Sequence, residues 1–186
     1  NDYLEADLRI VTGFIEPHFF AGFSGGPKGI VPGVAGIKTI MHLHNAQMIG
    51  HPRSTWALLD GNPVQGEIRE AVAMAPPHFM VNVAVNAERQ ITALWAGHYL
   101  EAHEVGCRFV AQHATRPVED VFDIVITTNS GYPLDQNLYQ AVKGMSAAAR
   151  IVRPGGAIIA AAECSDGVGS GLDEAGGVAG TPPAVL

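Results

Sequence analysis

Three imidazoles, two amines and a run of glycines occupy the stretch from His18 to His44, and the ones that bear on chemistry are His18, Lys28 and His44, with Gly22, Gly25, Gly26 and Gly29 around Lys28. An imidazole titrates near neutral pH, so His18 can act as a general base. The Lys28 amine can bond covalently to a bound group or counter a negative charge. A second imidazole, His44, is of the ligand type that borderline metal ions accept. The glycines serve all three, because backbone without Cβ can lie close against a bound group. The loop follows an apolar stretch, residues 8–15, and α/β proteins commonly place their chemistry on loops set on such strands.

Duller motifs fail on the same residues. A phosphate-binding P-loop needs Gly before its Lys and Ser or Thr after it; here those positions hold Pro27 and Gly29. Pro27 also removes a backbone donor that such a cradle would use. No Gly-x-Gly-x-x-Gly opens a helix after a strand, so the dinucleotide fingerprint is absent. Ser24 has no nucleophile-elbow context and reads as a donor or tight-turn residue. His42 and His44 stand two apart on a helix and face different sides, so only one of them can point at the loop. His51, His78, His98, His103 and His113 match no motif, and surface or packing roles are expected for all five.

The elements that must hold this loop follow from periodicity and punctuation. Residues 8–15 read as a strand and 34–49 as one helix, apolar at Val34, Ile37, Ile40, Met41 and Met48. Gly61-Asn62-Pro63 predicts a helix start, with Asn62 as cap and Pro63 in the first turn, running to about Met74. Phe79–Val85 alternates as a strand with Phe79, Val81, Val83 and Val85 on one face; residues 90–95 form a second, joined by a turn at 86–88. Residues 99–113 return to helix, where Cys107 reads as a small buried residue.

Thr115-Arg116-Pro117 marks a boundary. After it come a strand, Phe122–Thr128, a turn at 129–133, a helix over 134–149 and a strand over 157–162. That is a βαβ unit with the crossover length a parallel sheet needs. The expected fold is α/β: parts of two α/β domains with Rossmann-like βαβ units, residues 1–114 and 115–186, with the active site in the inter-domain cleft.

The stretch 15–44 resembles the signature of the nickel-dependent lactate racemase family. It holds Glu16-Pro17-His18, then Ala21-Gly22-Phe23-Ser24-Gly25-Gly26-Pro27-Lys28, then Pro32-Gly33, then a helix ending in His44. The resemblance runs over the whole chain and implies the later part of the N-terminal domain followed by the early part of the C-terminal domain. It implies that Lys28 carries, through its side-chain nitrogen, a nickel-pincer nucleotide, a pyridinium with sulfur-containing arms. By the same resemblance, His44 is the protein ligand to nickel and His18 one of two catalytic histidines. In the second domain, Tyr139, Gln140 and Lys143 resemble the family's helical pattern, Tyr139 and Gln140 toward the cofactor and Lys143 toward the substrate. Gln140 and Lys143 are three apart and share a helical face.

The implied activity is racemisation or epimerisation of a 2-hydroxy acid, lactate by default, by proton-coupled hydride transfer. Moving hydrogen as hydride avoids a carbanion poorly stabilised beside a carboxylate. The second catalytic histidine and the arginine that grips the substrate carboxylate are expected outside this chain, and cofactor maturation proteins are implied partners.

Bulk properties agree with a globular protein. Of its 186 residues, 47% are hydrophobic and 16% charged, enough apolar mass for a core. A net charge of −7 leaves no basic stripe for a nucleic acid and no polybasic membrane patch. No apolar run reaches the roughly 20 residues of a spanning helix and no signal peptide is present, so a cytoplasmic location is the default expectation. Two cysteines make no disulfide framework. The start at Asn1-Asp2 and the end at Val185-Leu186 are read as those of an internal fragment, which alone is expected to be inactive. On the residues, two other classes stay open: a transferase using the glycine loop as an anion nest, and a non-catalytic protein that binds or stores the cofactor.

Overall fold

The computed structural model describes residues 2–168, an α/β chain in two compact units that part between Pro117 and Val118. The first unit begins with a short helix, α1 (Asp2–Glu5), and a strand, β1 (Ile10–Phe14). A small hairpin follows, β2 (Pro17–His18) antiparallel to β3 (Gly22–Phe23), and then a 3-10 turn, Gly26–Gly29. Three helices come next: α2 (Ile37–Leu43), α3 (Ala46–Ile49) and α4 (Pro63–Ala73). The hairpin β4 (Phe79–Val85) and β5 (Ile91–Gly97) and the helix α5 (Glu101–Ala114) complete the unit. Its sheet runs β1-β4-β5, with β1 parallel to β4 and β4 antiparallel to β5.

The start of α4 forms as its sequence dictates. Asn62 is the cap, its side chain accepting from Gln65 N at 3.2 Å, and Pro63 occupies the first turn. The Asn62 amide also donates to Phe20 O at 2.8 Å, which ties the helix to the His18 hairpin. One expectation is corrected. Residues 34–49 are not one helix: Asn45 donates to His42 O and accepts from Met48 N, ending α2 and starting α3 with one side chain. The alternation of β4 holds, with Phe79, Val81, Val83 and Val85 on one face and the buried Met80, Asn82 and Ala84 on the other. Val11 of β1 pairs with Met80, and both join Ile68 and Val72 of α4 in the core.

In the second unit, β6 (Phe122–Thr128) lies parallel to β7 (Val152–Ala161), with α6 (Leu138–Ala148) as the crossover. The helix starts later than the sequence pattern predicts. Residues 131–134 close a turn through Leu134 N to Gly131 O, and Asn137 caps α6 by accepting from Gln140 N at 3.0 Å. Gly144 lets α6 lie directly on β6, since a Cβ there would stand 2.4 Å from Thr128 O. Among the described residues no helix is long and apolar enough to cross a membrane.

Candidate active site

His18 is the last residue of β2 and pairs with Gly22 across the hairpin. The hairpin requires glycine there: Gly22 has φ +79°, and a Cβ would fall 2.0 Å from Leu58 O. The His18 ring stacks on Phe19 at 5.0 Å and meets Phe20 edge-on at 4.7 Å. Ala21 N–H donates to His18 Nδ1 at 3.2 Å, so the neutral ring carries its proton on Nε2.

His44 caps the C-terminal end of α2 and meets the same Phe20 ring at 5.2 Å, also edge-on. Its Nδ1 lies 2.7 Å from Ile40 O; a carbonyl only accepts, so Nδ1–H donates and Nε2 keeps a lone pair. A backbone carbonyl holding one ring nitrogen while the other is bare is the arrangement of a metal-ligating imidazole. His42 turns the other way, its Nε2 3.6 Å from Glu67 Oε2 of α4.

Lys28 sits half-buried in the 3-10 turn, its N–H donating to Gly25 O at 3.1 Å. The residues before it are fastened at several points. Ser24 Oγ accepts from Glu16 N at 2.9 Å and donates to Phe14 O at 3.0 Å, joining the turn to the exit of β1. Gly26 N donates to Asn82 Oδ1 at 2.6 Å. His103 Nε2 lies 2.9 Å from Ser24 O and 3.3 Å from Cys107 Sγ.

His103 is fully buried, which excludes the surface role and agrees with the packing role among the two expected of it. Burial, with the nearby Arg69 charge, pushes its pKa down to about 4, against the bond to Ser24 and the Glu104 charge. Burial also pushes the Cys107 thiol up to about 12, which keeps it protonated. Asn82 and His103 escaped the sequence reading, yet each leaves a trace there. Asn82 is an amide in the middle of an otherwise apolar strand, where Asn is disfavoured. His103 belongs to the buried stripe of α5 with Gly106, Cys107 and Val110, a polar residue at core spacing.

The other histidines do ordinary work: the Nδ1 atoms of His51 and His78 accept from Arg53 N and Arg9 N. His98 packs on Tyr99 and His113 on Phe109. In the second unit, Tyr139, Gln140 and Lys143 all lie in α6. Tyr139 is exposed, with its pKa raised by partial desolvation, while Gln140 and Lys143 are half-buried. Among the described residues no group of three or more His, Cys, Asp or Glu side chains converges as a protein-only metal cage.

The chain is similar to known proteins along most of its length. A model of the lactate racemase N-terminal domain matches residues 1–57, and one of the lactate racemase C-terminal domain matches residues 118–173. The lactate racemase of Thermoanaerobacterium thermosaccharolyticum is 47% identical over 166 residues, 89% of this chain and 39% of that protein. The lactate racemase of Lactiplantibacillus plantarum is 47% identical over 165 residues, with the same two coverages, 89% and 39%. This chain therefore spans about two-fifths of the length of the curated relatives it matches. The solved lactate racemase apoprotein from T. thermosaccharolyticum superposes with a TM-score of 0.85 at 46% identity, over 91% of this chain and 41% of that one. A Thermotoga maritima protein shares the fold alone, at 22% identity and a TM-score of 0.53 over 73% of this chain and 36% of that one. With one family's N-terminal model on the first unit, its C-terminal model on the second and near-half identity running through both, the chain belongs to the lactate racemase family.

Proposed function

We propose that the protein to which this chain belongs is an isomerase that racemises or epimerises a 2-hydroxy acid, lactate by default, using a nickel-pincer cofactor tethered to Lys28. The observation that carries the reading is the packing of His18 and His44 against one ring, Phe20, in the same unit as the Lys28 turn. The donor set fits such a group. His44 offers one bare imidazole nitrogen, and with no cage of His, Cys, Asp or Glu among the described residues the metal suited to this place is one that brings its other ligands along. When bound, the group supplies a hydride acceptor, chemistry that no amino-acid side chain offers.

The chain's own residues would bind, orient and move protons. His18 presents Nε2–H in its neutral form, poised to hold a substrate oxygen. To take the hydroxyl proton at Nε2, the ring must place its own proton on Nδ1 and release Ala21 N–H. The switch gives up that 3.2 Å bond and leaves the buried Ala21 N–H unpaired, at a cost of about 1–3 kcal/mol. Lys143 would set a cation against the substrate carboxylate or developing oxyanion, with Tyr139 and Gln140 of the same helix on the cofactor. Maturation proteins would install the group.

The test is made on the full-length protein co-produced with such maturation proteins. Intact mass should show an adduct on Lys28, metal analysis should show nickel, and labelled hydroxy acid should exchange its hydrogen. Lys28→Ala should lose adduct and activity together. His44→Ala should keep the adduct and lose nickel. Full racemase activity in the Lys28 variant refutes the tether, and an adduct without hydrogen exchange points to storage instead.

A further inference from the structure

We propose that His103 is a positioning residue for the Lys28 turn, its Nε2–H clamping the Ser24 carbonyl from beneath so that the following Gly25-Gly26 backbone keeps one conformation. The inference deepens the reading of Lys28 as the cofactor's anchor and rests on it for its catalytic meaning.

Ser24 O can only accept, so at 2.9 Å His103 Nε2 must carry the hydrogen. That choice leaves Nδ1 as a bare lone pair, and Nδ1 is indeed buried without a partner. The opposite tautomer would bury an N–H with no acceptor and turn a lone pair on Nε2 toward the Ser24 carbonyl, a costlier arrangement on both sides. The nearby Arg69 charge, with burial, disfavours the doubly protonated ring and so keeps the imidazole neutral. Cys107 Sγ, 3.3 Å from Nε2, is a second and weaker acceptor for the same hydrogen.

The fit of ring to backbone is close. A Cβ on Gly26, whose φ is +52°, would stand 2.5 Å from His103 Cγ, and one on Gly25, whose φ is +76°, would stand 2.6 Å from Asn82 Oδ1. Consecutive glycines thus let an imidazole and an amide reach the backbone from two elements. Three neighbouring groups are held in sequence: Ser24 O by His103, Gly26 N by Asn82, and Gly25 O by Lys28 N. An apolar side chain of similar size would fill the same space with no orphaned nitrogen, so simple packing does not account for a histidine. A tether must present its cargo within a fraction of an ångström, and a glycine-rich turn without such clamps would lose that definition.

The experiment uses the full-length protein in three forms, wild type, His103→Gln and His103→Met. Gln keeps an amide N–H donor near the Nε2 position, whereas Met keeps the bulk without a donor. Three readouts are followed: the imidazole tautomer of His103 by NMR with nitrogen-labelled histidine, the rate at which an acetylating reagent modifies the Lys28 amine of the apoprotein, and the yield of the Lys28 adduct after maturation. The wild type should show the Nε2–H tautomer, its resonance identified by its loss in His103→Gln. His103→Gln should match the wild type in acetylation and adduct. His103→Met should shift the acetylation rate and lower the adduct yield by about fivefold or more, the scale of one lost hydrogen bond.

An Nδ1–H tautomer, a His103→Met protein equal to wild type in both Lys28 readouts, or a folded His103→Gln protein that has lost the adduct overturns the proposal. If His103→Met fails to fold, the tautomer and the Gln variant decide. Absence of any adduct in the wild type would refute the anchor reading while acetylation and tautomer still judged the clamp.

Discussion

His18, His44 and His103 show how one side-chain type acquires three characters from its hydrogen bonds. His44 donates its Nδ1 proton to a helix carbonyl and keeps a lone pair on Nε2; His18 accepts a backbone N–H at Nδ1 and carries its proton on Nε2. We expect His18→Ala in the full-length protein to retain nickel and adduct while turnover falls by about 10²–10⁴, the usual contribution of a general acid–base group. Metal content measured beside the rate separates this from loss of cofactor. His103 predicts a stability effect. Its pKa is about 4 in the folded protein against an ordinary 6.5, so between these values the unfolded chain binds the proton and the native state does not. Stability from this group is therefore complete above about pH 6.5, falls as pH drops toward 4 and is level below, a loss of about 3 kcal/mol in all. Groups facing it are Arg69 of α4 and Glu104 and Cys107 of α5, with Arg69 and Glu104 paired at 2.9 Å. Urea titrations of wild type and His103→Gln at pH 7 and 4.5 should differ by this slope; equal slopes would contradict it.

Elements in the first unit are joined by polar side chains that do two jobs each. Asn62 caps α4 and also holds Phe20 O, so Asn62→Ala should lower stability by about 2 kcal/mol, more than an isolated cap. The change should also loosen the hairpin that carries His18, which amide exchange at Phe20 and Ala21 would report. Gly26→Ala is expected to cost about 1–3 kcal/mol, through a left-handed φ and collision with the His103 ring. Denaturant midpoints measure both. A Gly26→Ala protein as stable as wild type would mean that α5 can move away from the turn at no cost.

The molecule divides where few contacts hold the chain. Residues 112–122 are exposed throughout, and the two units part between Pro117 and Val118. Limited digestion with a glutamate-specific protease should cut first after Glu119, which is exposed and outside regular structure, well before Glu104, which is held in α5 by Arg69. Mass spectrometry of the first fragments reads the order directly. The second unit displays Ile124, Ile126 and Ile159 at 59%, 73% and 52% exposure, so Ile126→Glu should raise the solubility of this 186-residue chain without melting α6.

Local chemistry could be read from the order of residues alone. Asn62-Pro63 starts a helix wherever it occurs before apolar spacing, and β4 and β6 have the bounds that their apolar runs predict. The run from Glu16 to His44 carries its family pattern without any fold in hand. Long-range choices were not available there. Alternation in β4 marks two faces but not the one that α4 covers, because cover comes from elements distant in the chain. Asn45 looked like a residue within a helix until its side chain was seen to end one and begin another. Asn82 and His103 reach the Lys28 turn across 56 and 79 residues, and only folding brings such groups within hydrogen-bond range. A bond between neighbours in sequence needs little loop closure, whereas one between remote residues exists only after the packing of the whole unit has met that entropy.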